Sequence, residues 1–398
     1  MNRFFTTLVS LLTQMSVARH YTVVLKMGTS KMKESLDSKA VSRIARSFQL
    51  ANPTFDSITF EGLACKELDS KSLKERVNHI IDALVFVLPQ CFLECARIIE
   101  RIGPVWIRGD KEDVLQAFAA WPVIDFIAVK GISHPKIAIP LLKSVTSLFS
   151  AEFAIRPFIK MYPEICYAFL ESWLSDESED VRRLVSEGTR PRLPWTSKLD
   201  CAIDSPERNI KLLCQLKSDS SLYVRRSVAN HLNDIAKDHP DIVLSICEAW
   251  YPKADEHLKW LIRHATRTMV KEGRPRVYPL LGFTPNPKLA SIALQVETKK
   301  VVLGESIVFE VCVSSGVKEA QSFVVDFSLD LLKANGKRKS KVFKLKNIKL
   351  AGGSSLSARK SMMIKEITTR RYYAGMQGIS VLVNGVVLAQ ESFELVLR

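Results

Sequence analysis

The 398-residue sequence contains no apolar run approaching the roughly 18 residues needed to cross a bilayer; the longest candidate, Ile80 to Leu88, is short, carries Asp82 and is closed by Pro89. It has no CxxC and no neighbouring pair of histidines, so zinc and thiol–disulfide exchange find no framework. It has no GxSxG and no Cys/His arrangement, which leaves serine and cysteine hydrolase chemistry without support. The eight cysteines (Cys65, Cys91, Cys95, Cys166, Cys201, Cys214, Cys247 and Cys312) are scattered through apolar helical pattern and read as reduced core thiols of a cytosolic protein. Cys91 and Cys95 share a helix face, but two thiols without further ligands make a poor metal site. No metal and no other cofactor is therefore expected. Negative charge is in short supply: 57 Lys and Arg face 42 Asp and Glu, a formal net charge of +15. Such a balance points to a polyanionic partner, nucleic acid first and an anionic membrane surface second.

Length alone predicts two or three domains. Residues 1–30 read as an N-terminal extension outside the fold: Asn2-Arg3 followed by Phe4 to Leu12 resembles a weak signal peptide without a clean small-residue cleavage site. From residue 31 to 285 the apolar spacing is helical almost throughout, with proline at first-turn positions (Pro135, Pro163, Pro206, Pro240), where its missing N–H costs nothing. Val181-Arg-Arg-Leu-Val, Val224-Arg-Arg-Ser-Val and Leu261-Ile-Arg-His-Ala can be laid over one another at intervals of roughly 43 and 37 residues, the range of HEAT-type helix pairs. Each follows an acidic or serine-rich entry suited to capping a helix. Repeats of this kind stack into a solenoid with a concave face. Past Pro285-Asn-Pro the pattern turns to short alternating runs separated by Asn335-Gly336, Gly352-Gly353 and Asn384-Gly385, which predicts an immunoglobulin-like β-sandwich over 286–398, basic at its loops and edges. The fold class is thus an all-α HEAT-like-repeat solenoid followed by an all-β immunoglobulin-like sandwich.

The stretch Asp180 to Trp195 breaks local rules. Its helix should stop at Gly188, with Pro191 and Pro194 forbidding resumption. Glu187 then lies in the last turn, facing the negative end of the helix dipole at a cost of roughly 0.3–1 kcal/mol. Arg182, Arg183, Arg190 and Arg192 crowd around it and Trp195 follows. A rule broken amid dense charge marks a functional stretch. Aligned on their shared arginine, the repeats give rows at i, i+4 and i+8: Glu152–Arg156, Arg183–Glu187, Arg226–Asn230–Asp234 and Arg263–Arg267–Lys271. The last is uniformly cationic, which is understandable where phosphates bind. Taken singly each row is an ordinary solvated face; four in register on so basic a chain favour a nucleic-acid groove. Glu152, Glu187 and Asp234 would sit inside it. Acids there repel phosphate, so a pure binder has little use for them. An enzyme cleaving an N-glycosidic bond uses them to stabilise positive charge on the sugar and to orient water. Trp195 could hold a cationic base or sugar by cation–π contact. A non-catalytic HEAT-repeat nucleic-acid-binding or scaffold protein, or a membrane-surface binder, accounts for the charge but not for the three acids.

The segments Glu152-Phe-Ala-Ile-Arg-Pro-Phe158, Ser186-Glu-Gly-Thr-Arg-Pro-Arg-Leu-Pro-Trp195, Tyr223-Val-Arg-Arg-Ser-Val-Ala-Asn-His-Leu-Asn-Asp-Ile-Ala-Lys-Asp-His-Pro240 and Trp260-Leu-Ile-Arg-His-Ala265 resemble the bacterial HEAT-like-repeat DNA alkylation repair glycosylases, specifically the AlkC branch, over residues 31–285. The β-domain is similar to the Ig-like domain of one subgroup. The resemblance implies excision of cationic methylated bases, of the 3-methyladenine and 3-methylcytosine type, from double-stranded DNA by a monofunctional, metal-free hydrolysis. Carried over by motif, it implies Glu187 as principal catalytic carboxylate with Glu152 and Asp234 assisting, and Trp195 lining the site. It implies that Arg156, Arg190, Arg192, Arg225, Arg226, His231, Arg263 and Arg267 hold phosphates, to which the cationic row adds Lys271. The chain is expected to act as a monomer in the cytoplasm, associated with the nucleoid.

Overall fold

The computed structural model describes residues 32–397 apart from 111, 114, 368 and 369. The extension expected over residues 1–30 lies outside the described residues. The chain divides into two compact units, one ending at Ile235 and the other beginning at Ala236.

The described part of the first unit is helical, and its starts follow the expected chemistry. Asp37 accepts from the Ala40 N–H and Asp56 from the Thr59 N–H, while the Ser72 N–H donates to Glu75 Oε2 at the head of Leu73–Val87. Pro135 and Pro163 open the helices Pro135–Val145 and Pro163–Ser172. Each helix turns an apolar stripe inward; Val41, Ile44, Ala45 and Phe48 of Ser38–Ala51 are fully buried. Leu73–Val87 and Phe92–Glu100 are two helices separated around Pro89 and bent by 111°. Among the described residues no single helix is long and apolar enough to cross a membrane. Two helical expectations shift. The apolar spacing predicts one helix over 112–127, where the structure has a 3-10 segment, Gln116–Ala120, before the helix Trp121–Gly131. Glu152 lies in the turn ahead of Ile155–Met161 rather than on it, so Glu152–Arg156 is not a row on a helix face.

The second unit joins the helices Pro240–Trp250, Glu256–Ala265, Arg267–Lys271 and Val277–Leu280 to the sandwich. Composition changes near residue 286, but the compact unit starts about 50 residues earlier, because this helical segment packs on the strands that follow. Gly273 and Gly385 both have positive φ and lie backbone to backbone; a Cβ on Gly385 would sit 2.1 Å from Gly273 Cα. The Thr284 N–H donates to Ser322 O (2.7 Å), and Asn384 Nδ2 to Thr284 O (2.8 Å). The strands are β1 (Leu289–Val296), β2 (Lys300–Val302), β3 (Ser306–Ser315), β4 (Gln321–Leu332), β5 (Arg338–Leu350), β6 (Ser355–Met363), β7 (Gly375–Val383) and β8 (Val386–Val396). They form a three-stranded sheet, β1-β3-β6, and a five-stranded one, β2-β8-β7-β4-β5. In β3, Ile307, Phe309, Val311 and Val313 point into the shared core while Cys312 points out, the alternation of a half-buried strand. Cysteine usage departs from expectation: all eight thiols are free, but only Cys95, Cys166 and Cys247 are buried, and Cys91, Cys201 and Cys312 are exposed.

Candidate active site

The site is built from the turn at 151–154, the helix Glu179–Gly188 with the loop after it, and the helix Leu222–Ile235, all in the first unit. Glu187 lies in the last turn of its helix, as its sequence position requires. The helix stops at Gly188 as expected, but the glycine is needed for space rather than for a left-handed turn: a Cβ there would lie 2.6 Å from Ile155 Cγ2, and its φ is not positive. The exposed carbonyls of the helix end and its loop are then satisfied from neighbouring elements. Arg156 donates to Gly188 O (3.2 Å), Arg190 O (2.7 Å) and Ser197 O (2.7 Å), and Asn209 Nδ2 to Thr189 O (3.0 Å).

This frame holds five side chains in alternating charge. Arg183 Nη1 donates to Glu152 Oε2 at 2.8 Å, and its Nη2 lies 3.7 Å from Glu187 Oε1. Arg190 Nη1 donates to the same Glu187 oxygen at 2.6 Å, while its Nε and Nη2 reach Asp234 Oδ2 at 2.8 and 2.7 Å. Ser227 donates to the other Glu187 oxygen at 2.6 Å. The order is Glu152, Arg183, Glu187, Arg190, Asp234, and all five are buried. Arg183 also lies 4.5 Å over the Tyr223 ring. Burial alone would push the Glu187 carboxyl up; Arg190 and Arg183 beside it, with the Ser227 hydroxyl, reverse that and hold it below the usual carboxylate range. Removing ions from water costs several kcal/mol each, and well-packed apolar residues are often the more stable choice. A buried chain of five charges is therefore weak evidence for stability and better evidence for chemistry.

Beside this chain runs an aromatic ladder. Phe153, next to Glu152, stacks on Trp121 (5.0 Å), which faces Phe149 on one contact (5.6 Å) and Trp195 on another (6.3 Å). Trp121 is fixed by its Nε1 donating to Asp125 Oδ2 (2.9 Å), an oxygen that Lys74 also reaches (3.0 Å). Trp195 is 44% exposed and has φ +64°, a left-handed conformation costing an L-residue roughly 1–2 kcal/mol. Strain of this kind persists where the surroundings impose it and clusters at functional sites.

The expected phosphate contacts divide. Arg156, Arg190, Arg225 and His231 are each buried, and each makes polar contacts within the protein. Arg156 is 1% exposed and holds the loop carbonyls; burial, then the neighbouring Arg190, draws its guanidinium down to about 10. Arg190 ties two acids, and Arg225 donates to Asp219 O and Ser220 O. His231 pairs Nδ1 with Ser186 O at 2.9 Å, which assigns the proton to Nδ1; burial, then Arg190, lowers its pKa to about 4. Arg192 and Arg226 are half-buried. Arg263, Arg267 and Lys271 belong to the second unit, with Arg263 and Lys271 exposed. Their row is not one helix face: the chain breaks at Thr266 between Glu256–Ala265 and Arg267–Lys271. Two contributors were not singled out as site residues in the sequence, Arg183 and Ser227. Arg183 had a signal, its position four before Glu187; Ser227, in an apolar helical pattern, had none. Among the described residues no group of three or more His, Cys, Asp and Glu is placed to hold a metal.

A HEAT-like helical solenoid bearing an aromatic-flanked, buried acid–arginine chain and followed by an Ig-like sandwich defines the class. Residues 291–397 match the family model described as the C-terminal Ig-like domain of uncharacterised protein YhaZ. The chain is 31% identical over 365 residues to the uncharacterized protein YhaZ of Bacillus subtilis (strain 168), covering 92% of this chain and 99% of that one. The solved structure of the Pseudomonas fluorescens alkylpurine DNA glycosylase AlkC, bound to DNA containing an abasic site analog, is similar with a TM-score of 0.86 and 35% identity, over 92% of this chain and 99% of that one. This chain belongs to the AlkC branch of the HEAT-like-repeat DNA alkylation repair glycosylases, in the form that carries a C-terminal Ig-like domain.

Proposed function

We propose that this protein is a monofunctional DNA glycosylase that hydrolyses the N-glycosidic bond of cationic N-alkylated bases in double-stranded DNA. The observation that supports this best is the buried order Glu152, Arg183, Glu187, Arg190, Asp234 beside an exposed, strained Trp195. An N-alkylated base already carries positive charge. When its bond to C1′ breaks, the bonding pair leaves with the base, which departs neutral without a general acid. The positive charge passes to the deoxyribose, whose ring oxygen shares it. Carboxylates fixed in a dry site stabilise that charge without reorganising. Water then adds at C1′ and its proton passes to a carboxylate or to solvent, leaving an abasic site. Glu187 is the principal carboxylate and Glu152 and Asp234 assist. Trp195 offers its indole face to the base or sugar by cation–π contact. Arg192, Arg226, Arg263, Arg267 and Lys271 are the cations left to hold backbone phosphates, and the protein works as a monomer in the cytoplasm.

The test is incubation of methylated duplex DNA with the protein, followed by chromatography of freed bases. Release of methylated base with the strands intact supports the reading. Tight duplex binding without any freed base would instead favour a non-catalytic nucleic-acid-binding protein.

A further inference from the structure

We infer that Arg190 is a positioning residue that spaces and orients the acting carboxylates rather than a contact to DNA. The inference rests on the reading above in one respect, that Glu187 is the acting acid. One planar guanidinium engages acids from two different helices: Nη1 takes Glu187 Oε1 at 2.6 Å, and Nε with Nη2 takes Asp234 Oδ2 at 2.8 and 2.7 Å. The fork geometry fixes both acids at once, which a lysine ammonium cannot reproduce. The guanidinium is itself aimed by its own backbone. Arg156 holds the Arg190 carbonyl at 2.7 Å, and the Arg190 N–H donates to Glu187 O at 3.3 Å. Arg190 is 9% exposed, and its Nε, Nη1 and Nη2 each engage one of the two acids. The remaining oxygen of Glu187 is held by Ser227 at 2.6 Å. Glu187 is thus held at both oxygens, one by the clamp and one by a hydroxyl on the adjacent helix.

The charged and titratable groups facing Glu187 are Arg190 and Arg183, with Glu152, Asp234, Tyr223, His231 and Arg156 ranged around those two. Burial opposes the charge on Glu187, and Arg190 is the largest influence that keeps it ionised. Removing that cation leaves only Arg183 and the Ser227 hydroxyl to oppose burial, so the carboxyl of the variant takes up a proton at higher pH than that of the parent. A group that only supported the fold would not move this titration.

The experiment compares the full-length protein with Arg190→Gln and Arg190→Lys on methylated duplex DNA, in single turnover from pH 3 to 9, alongside duplex affinity as a function of salt. For Arg190→Gln the expected result is a loss of about 10²-fold in rate at pH 7 with duplex affinity and its salt slope unchanged. The acid limb of its rate profile should move up into that range, at least about one pH unit above the parent's, which lies at its lower edge or below. Arg190→Lys, which keeps the charge and loses the fork, should restore the position of the acid limb but only part of the rate. A flatter salt slope with an unchanged rate for bound DNA would overturn the inference in favour of a phosphate contact. A lowered rate with an unmoved acid limb would overturn it in favour of a structural role. If the parent frees no base, the functional reading fails on its own; the clamp is then read from urea unfolding. The stability gap between the parent and Arg190→Gln should narrow from pH 7 to 3, and a constant gap would sink the clamp.

Discussion

Replacing Glu187 by Gln removes one charge and almost no volume, so its consequences can be worked from the contacts. Breaking a buried pair by deleting one partner commonly costs about 3–5 kcal/mol, because the other charge is stranded. Here neither arginine is stranded: Arg190 keeps Asp234 at 2.7 and 2.8 Å, and Arg183 keeps Glu152 at 2.8 Å. The Gln carbonyl can still accept from Arg190, and its amide faces Ser227, whose oxygen can accept in turn. The loss is therefore that of weakened hydrogen bonds, about 1–3 kcal/mol. At about 2–4 °C per kcal/mol for a unit of this size, the melting temperature should fall by roughly 2–12 °C with folding intact. Duplex affinity should be unchanged or higher, since a negative charge near phosphate is gone. The chemical step should suffer most, by about 10²–10³-fold, the range for deleting one preorganised group aimed at developing charge. The assay is single-turnover release of methylated base at saturating enzyme, with affinity measured on the same duplex. A variant that folds, binds and still frees base at the parental rate would refute the assignment of Glu187.

Four further outcomes are expected. Gly188→Ala should lower stability by about 1–3 kcal/mol in denaturant, because the new methyl would lie 2.6 Å from Ile155 Cγ2. Arg156→Met should destabilise the loop at 188–197 and leave the salt slope of DNA binding unchanged, since its donors serve Gly188, Arg190 and Ser197 carbonyls; a reduced slope would return it to the phosphate contacts. Arg263→Gln, at an exposed position, should reduce that slope by about 0.9 while base release from bound duplex stays the same. His231 titrates near 4 in the fold against 6.5 for an ordinary histidine, so the unfolded chain binds more protons between those values and stability rises with pH across that window. The rise should be on the order of 3 kcal/mol and be largely absent in His231→Asn, as followed by urea unfolding at pH 4 to 7.

Much of the architecture was legible because it rests on local rules. The apolar spacing marked the helices and Asn335-Gly336 and Asn384-Gly385 marked hairpins; β2, β6 and β8 escaped, since β2 is only three residues long, β6 is a polar edge strand and β8 opens with exposed Val386, Val387 and Leu388. Glu187 was legible because it offends the helix dipole at a position that the prolines fix. What the pattern could not reveal was which way the arginines face. A net charge of +15 makes every arginine look like a phosphate contact. Arg156 and Arg190 turn inward because the carbonyls of a helix end and two buried acids from elsewhere in the chain need donors there, a requirement visible only in three dimensions.

The claim on which everything rests is that the buried acids stabilise positive charge on the sugar. It is tested most directly by comparing the affinity for two duplexes, one carrying a cationic pyrrolidine in place of the deoxyribose and one a neutral tetrahydrofuran. The parent should bind the cationic analogue at least about 10²-fold more tightly, the lower end for mimics of a transition state, and Glu187→Gln should lose most of that preference. Equal affinity of the parent for both duplexes, or a preference that survives in Glu187→Gln, would contradict the account.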